Sequence, residues 1–245
     1  MPDRGRVAIV TGGSRGIGRA TAEALLGAGW RVHFCSRSAE SVEKAADEMT
    51  ARFPGASVSG KVVDVRHEGE VSFFVRSVAE AEGRRIDLLV NNAGLGIFGP
   101  VDELSGDSFR EVIETNLLGS IYFLCAVAAV MKPRGEGWIV NIASLASKNA
   151  MAGGAAYNAS KFGLLGFSEA AMLDLRQYGI RVAAIMPGSV DTEFGHPAGR
   201  GGSGGAATSW RLQPEDVASM VLHLLTYPPN ALPSRVEMRP TRPPK

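Results

Sequence analysis

Short runs rich in β-branched and other apolar residues recur along the chain, each followed by a longer stretch with helical spacing. The runs are RVAIVT (6–11), RVHFCS (31–36), ASVSGKVVD (56–64), IDLLVNNA (86–93), GWIVNIAS (137–144) and IRVAAIMPG (180–188), with a shorter RVEM (235–238) near the end. Helical patterns fill 16–28, 38–52, 67–83, 105–131, 157–178 and 214–227. Strands joined by helical crossovers lie parallel, and helices then cover both faces of the sheet. The predicted fold class is α/β, a doubly wound parallel sheet of about seven strands with helices on both faces. Such a sheet takes its ligand beyond the C-terminal strand ends, where the strand order reverses. Motifs that follow strands therefore carry the most weight.

The chain has 245 residues, which suits one domain spanning 1–245. A formal net charge of +1 gives no general reason to expect nucleic acid or an anionic membrane as partner. Cys35 and Cys125 are far apart and lack metal-ligand spacing, so both read as small core residues in a reducing compartment. His33, His67, His196 and His223 show no ligand spacing either, and no metal is expected. The start, MPDRGRVAIVTGG, lacks the apolar core of a signal peptide, and the apolar stretch 117–131 is short for a membrane span. The expected location is the cytoplasm.

The first strand runs into Thr11-Gly12-Gly13-Ser14-Arg15-Gly16-Ile17-Gly18, and a helix pattern follows at once. Glycines allow a tight turn and a close backbone approach to a pyrophosphate, and the helix N-terminus beyond them favours negative charge. The second strand ends in Cys35-Ser36-Arg37-Ser38, without the carboxylate that would bond the ribose hydroxyl of NAD. Arg37 and Arg15 can instead fork onto a 2′-phosphate, so NADP(H) is the expected cofactor.

Tyr157-Asn158-Ala159-Ser160-Lys161 places a phenol and an ammonium one helical turn apart. A carbonyl that accepts hydride becomes an alkoxide and needs a proton donor and a polarising hydrogen bond. Tyr157 can supply the first and Ser144, at the end of the fifth strand, the second. A phenol has a pKa of about 10, and the Lys161 charge is expected to lower it. Asn116, within ETNLLGS, reads on its own either as a polar helix residue or as part of a site.

Together these segments resemble the short-chain dehydrogenase/reductase family, on TGGSRGIG, Asn91-Asn92-Ala93-Gly94, Asn116, Ser144, Tyr157 with Lys161, and Pro187-Gly188-Ser189-Val190-Asp191-Thr192. The resemblance spans 6 to about 192 and implies a Rossmann-like fold. It implies catalysis by Asn116, Ser144, Tyr157 and Lys161, with Asn116 holding a water that links Lys161 to solvent. For the cofactor it implies Gly12, Ser14, Arg15, Gly16, Ile17 and Gly18 at the phosphates, Ser36 and Arg37 at the 2′-phosphate, and Asp64 and Val65 at the adenine. Asn91, Ala93 and Gly94 would line the adenosine ribose, Tyr157 and Lys161 the nicotinamide ribose, and Pro187, Gly188, Val190 and Thr192 the nicotinamide.

The expected activity is NADPH-dependent hydride transfer between the nicotinamide and a small-molecule carbonyl or secondary alcohol. Reduction of 3-oxoacyl groups on a carrier protein is an alternative, and a non-catalytic NADP-binding redox sensor is another. The ending PEDVASMVLHLLTYPPNALPSRVEMRPTRPPK resembles the NADP-dependent 3-hydroxy acid and serine dehydrogenase branch and departs from acyl-carrier reductases. Residues 193–212, rich in glycine, are expected to form a mobile substrate lid, and 239–245 an extended tail. Trp210 reads as a substrate contact or as loop packing. The helix from Tyr157 is apolar nearly all round, and the family resemblance implies that its outer side meets a second subunit in a homodimer or homotetramer.

Overall fold

In a computed structural model the described residues are 5–194 and 210–242. Seven strands, β1 (Val7–Thr11), β2 (Arg31–Ser36), β3 (Val58–Val62), β4 (Leu88–Asn91), β5 (Gly137–Ile142), β6 (Ile180–Pro187) and β7 (Arg235–Met238), form one sheet. Their order is β3-β2-β1-β4-β5-β6-β7, and every neighbouring pair is parallel. The order reverses between β1 and β4. Thr11 locks that point, its Oγ1 accepting from the backbone N–H of Asn92 and of Ala93, both at 2.9 Å.

Side chains alternate across the sheet, because successive residues of a strand point to opposite faces. Val7, Ile9, Leu89, Ile139 and Val182 face one layer, where α3 (Glu68–Ala81), α5 (Gly119–Met131) and α6 (Ala155–Leu175) bury Phe74, Phe123 and Leu175. Ala8, Val10, Phe34, Val90 and Val140 face the other, covered by α1 (Gly16–Gly27), α2 (Ala39–Arg52) and α7 (Pro214–Leu224). Burying such side chains on both faces is the main stabilising term, at roughly 1.5–3 kcal/mol per large apolar side chain.

The helix expected over 105–131 is interrupted. It comprises α4 (Gly106–Ile113), a π-helical turn at Glu114–Leu118 and α5. The turn surrounds Asn116, whose side chain bonds outside the helix, and Gly119 next to it lies so close to Val65 that an added Cβ would sit 2.8 Å from Cγ2. Gly106 to Arg134 is long and apolar enough to cross a membrane, yet half of its most apolar window is buried within this chain. That burial is the packing of α5 against the sheet and α3. Cys35 is in the core as expected, and burial pushes its thiol up to about 12. Cys125 is not, because it falls on the outward face of α5 and is exposed. Of the expected lid, 195–209 lie outside the described residues, as do His196 and the tail residues 243–245.

Candidate active site

A cleft of about 1360 Å³ runs along the C-terminal strand ends from α2 past the β1/β4 reversal to β6. Its floor is the glycine turn between β1 and α1. Gly12 takes φ +66°, a left-handed conformation that other residues rarely adopt, and a Cβ on Gly18 would stand 2.3 Å from the Gly12 carbonyl oxygen. Arg15, at the N-cap of α1, makes no side-chain cap, so the first backbone N–H groups of the helix remain for an anion in the cleft. The Thr115 hydroxyl, buried in the same wall, has no partner among the described residues. A pyrophosphate with its flanking riboses fits these donors.

At the β2 end, Ser14 Oγ donates to Ser36 Oγ at 3.1 Å, and both line the cleft beside Arg15 and Arg37. Arg15 reaches across the mouth to Glu193 at 3.0 Å, while Arg37 lies 3.5 Å from Glu111. Lys44 and Ser41 of α2 line this end too; sequence reading missed them because α2 meets the cleft only through the fold.

Gly16, Ile17, Val65, Ala93, Gly94, Pro187, Gly188, Val190 and Thr192 all line the cleft. Four expected residues stand elsewhere. Gly18 lies beneath the turn. Asn91 is buried under the floor, its Nδ2 donating to the Ser120 carbonyl at 3.1 Å and to Asn141 Oδ1 at 2.9 Å. Asp64 turns away onto Arg66, whose Nε lies 3.0 Å from both its oxygens and holds its carboxyl below the usual range. Asn116 is fully buried behind the cleft, its Oδ1 accepting from Leu95 N–H and its Nδ2 donating to Leu95 O, each at 2.8 Å. These bonds occupy its side chain.

Ser144 lies two residues beyond β5 and caps a short 3-10 turn, its Oγ accepting from Ala146 N–H at 3.1 Å. Helix α6 starts at Ala155, which puts Tyr157 in its first turn with the ring in the cleft. Asn158, the next residue, pins the connecting loop: Nδ2 donates to the carbonyls of Ala146 (2.7 Å) and Asn149 (2.9 Å), and Oδ1 accepts from Met151 N–H (3.0 Å). A polar residue inside an apolar helix was the available signal for this role.

Lys161 is buried with its Nζ 2.9 Å from the Ile142 carbonyl and 5.8 Å from the centre of the Tyr157 ring. Burial lowers its ammonium to about 8. Burial also raises the Tyr157 phenol above its ordinary value, and a hydrogen bond with Ser144 only partly opposes this. The lowering expected from Lys161 is not seen: desolvation raises the phenol, and the opposing influence is the Ser144 hydrogen bond. A phenol held protonated beside a serine hydroxyl suits proton donation to a developing alkoxide.

The parallel sheet, the glycine turn at the reversal of strand order and a serine, tyrosine and lysine at one end of the cleft define a nucleotide-dependent oxidoreductase architecture. A family profile described as short chain dehydrogenase matches residues 6–201, and the chain belongs to that family. Among its relatives, a protein of Streptomyces coelicolor named as a ketoacyl reductase is 40% identical over 188 residues, 76% of this chain and 71% of that protein. The levodione reductase of Leifsonia aquatica is 34% identical over 188 residues, 76% of this chain and 70% of its own. The alcohol dehydrogenase of the archaeon Thermococcus sibiricus, solved with 5-hydroxy-NADP, superposes with a TM-score of 0.88 at 32% identity, covering 98% of this chain and 99% of that one.

Proposed function

We propose that this chain is an NADPH-dependent carbonyl reductase, running in reverse as a secondary-alcohol dehydrogenase. The observation that carries the reading is the placement of Ser144, Tyr157 and Lys161 in one cleft with the glycine turn. Bound NADPH supplies the hydride. The chain's own groups do the rest: the Ser144 hydroxyl polarises the carbonyl oxygen, Tyr157 protonates it, and Lys161 orients the nicotinamide ribose while its charge assists Tyr157. Asn116 acts as a positioning residue that joins the Leu95 loop to α6. Ser36, Arg37, Arg15 and Lys44 would recognise the 2′-phosphate. The NADP complexes of the solved relatives support this choice, including a metagenomic short-chain oxidoreductase with TM-score 0.82 and 36% identity that covers 97% of this chain and 98% of that one.

The test follows NADPH and NADH absorbance over a panel of ketones, β-keto esters and diketones. NADPH should be consumed, NADH much more slowly, and Tyr157→Phe should lose at least about a hundredfold in rate. Equal activity of the phenylalanine variant sinks the proposal. Reduction of 3-oxoacyl thioesters is a second reading, favoured by the similarity to the Streptomyces coelicolor protein.

The same reading includes self-association. Helix α6 exposes Phe162 (46%) and Leu173 (52%), and α5 exposes Cys125, apolar surface suited to a second copy in a homodimer or homotetramer. Light scattering should give a mass above 25.8 kDa, and Phe162→Glu should lower it.

A further inference from the structure

Around the Tyr157 ring the cleft wall becomes aromatic. The rings of Phe98 and Phe194 each lie 5.6 Å from that of Tyr157, both inclined at 55°. They close over Gly96, where an added Cβ would stand 2.6 Å from Phe98 and 3.2 Å from Phe194. Met151, its backbone fixed by Asn158, completes the wall. These three side chains remain 43%, 42% and 48% exposed, although each lines a cleft. Exposed apolar groups gathered around a reacting hydroxyl are the surface an apolar ligand would cover.

The cationic side chains of the cleft stand beside acidic ones. Each arginine lining the cleft has a carboxylate partner: Glu193 for Arg15, Asp191 for Arg211 and Glu237 for Arg239 at this end, Glu23 and Glu48 for Arg19 and Glu111 for Arg37 at the other. Of its two lysines, Lys44 belongs to α2 at the far end and Lys161 is buried beneath Tyr157. Near the aromatic wall Arg15 and Arg239 bond to their carboxylates, while Arg211 lies 3.6 Å from Asp191 and its buried Nε has no hydrogen-bond partner among the described residues.

We infer that the substrate is a ketone bearing an aromatic or alicyclic ring. This rests on the reductase reading above. The ring lies against Phe98, Phe194 and Met151. The carbonyl carbon accepts a hydride from the reduced nicotinamide and the oxygen a proton from Tyr157, leaving a secondary alcohol, oxidised nicotinamide and a phenolate that regains its proton from solvent.

The experiment compares kcat/KM for benzylacetone, cyclohexyl methyl ketone, butanone and levulinate with NADPH, in the wild type and in Phe98→Ala and Phe98→Leu. Saturation-transfer NMR of benzylacetone on the same proteins is run beside it. Both ring ketones should exceed levulinate by about tenfold or more, and Phe98→Ala should cut the benzylacetone-to-butanone ratio by about tenfold, with Phe98→Leu between. Levulinate turned over as well as benzylacetone, or a ratio unmoved by Phe98→Ala, overturns the inference and leaves the reductase reading standing. If no carbonyl is reduced but benzylacetone still takes up saturation through its ring, and loses it in Phe98→Ala, the reductase reading falls and the apolar subsite stands. Neither turnover nor binding overturns both.

Discussion

Asn116 Nδ2 donates to Ser160 Oγ at 3.0 Å, and the same serine hydroxyl donates to the Tyr157 carbonyl at 2.7 Å. Through this relay the π-helical turn holds the helix that presents the proposed acid. Asn116 also grips both backbone polar groups of Leu95, so one side chain joins three segments: the loop after β4, its own helix and α6.

Removing either partner should therefore be felt in stability, and unequally. Ser160→Ala leaves one N–H of the buried Asn116 amide without its partner and should cost about 1–2 kcal/mol, or about 2–8 °C in Tm. Asn116→Ala strips Leu95 of both bonds and should cost more, about 2–4 kcal/mol. Thermal melts of the two variants decide it; an alanine at 116 that melts like the wild type contradicts the clamp.

How far these arrangements could be read beforehand depends on how local their causes are. RVHFCS and RVEM coincide with β2 and β7 because a short β-branched run is its own signal. The glycine turn, Ser144, Tyr157 and Lys161 were legible for a similar reason, since each motif follows a strand or opens a helix. The π-helical turn was not, because its cause is the bonding of Asn116 to Leu95, 21 residues away. Arg15 looked free for phosphate, yet its carboxylate partner is 178 residues distant. The phenol's pKa was misjudged for the opposite reason: the charge four residues away was visible in the sequence, and the burial that raises the phenol was not.

The glycine turn can be tested against a control from another helix. Gly18→Ala drives a methyl group into the Gly12 carbonyl, at 2.3 Å, and into Asn92 Nδ2, at 2.4 Å, so the β1–β4 junction must open. A loss of about 2–4 kcal/mol and of cofactor binding is expected. Gly69, near the start of α3, has nothing within 4 Å of an added Cβ, and Gly69→Ala should stabilise by about 0.5–1 kcal/mol. Denaturant midpoints of both variants give the comparison, and destabilisation by both to the same degree would remove the steric argument.

The Arg15–Glu193 pair spans the cleft mouth with both side chains largely exposed, so it is held weakly, by about 1 kcal/mol or less. Arg15 can therefore leave Glu193 for a phosphate at little cost, and Glu193 competes with the cofactor for it. Glu193→Gln should tighten NADPH binding by a few-fold at low salt and leave NADH almost unchanged, while Arg15→Ala weakens NADPH alone. Calorimetric titration at two salt concentrations measures this. Equal effects on the two cofactors would place Arg15 away from the 2′-phosphate.

Lys161 connects pH, stability and turnover. Its folded pKa, about 8, lies below the ordinary 10.5, so folding disfavours its charge. Below pH 8 both folded and unfolded chains carry the proton, and the folded chain bears the whole penalty, about 3 kcal/mol. Between these two pKa values only the unfolded chain keeps the proton, so stability from this group rises with pH until the penalty is gone. Lys161→Met removes the penalty but leaves the Ile142 carbonyl without its donor, which returns about 1–3 kcal/mol. At neutral pH the methionine variant should melt no lower than the wild type and up to a few degrees higher, with any advantage shrinking above pH 8, while its reductase activity is lost. In the wild type the NADPH-driven rate should fall above about pH 8, the limb belonging to Lys161 because burial keeps Tyr157 protonated further up. Lys161→Arg, whose cation persists, should move that limb to higher pH. A methionine variant that melts far below the wild type, or a wild-type rate that goes on rising past pH 8, would show that the buried ammonium is not the group that titrates.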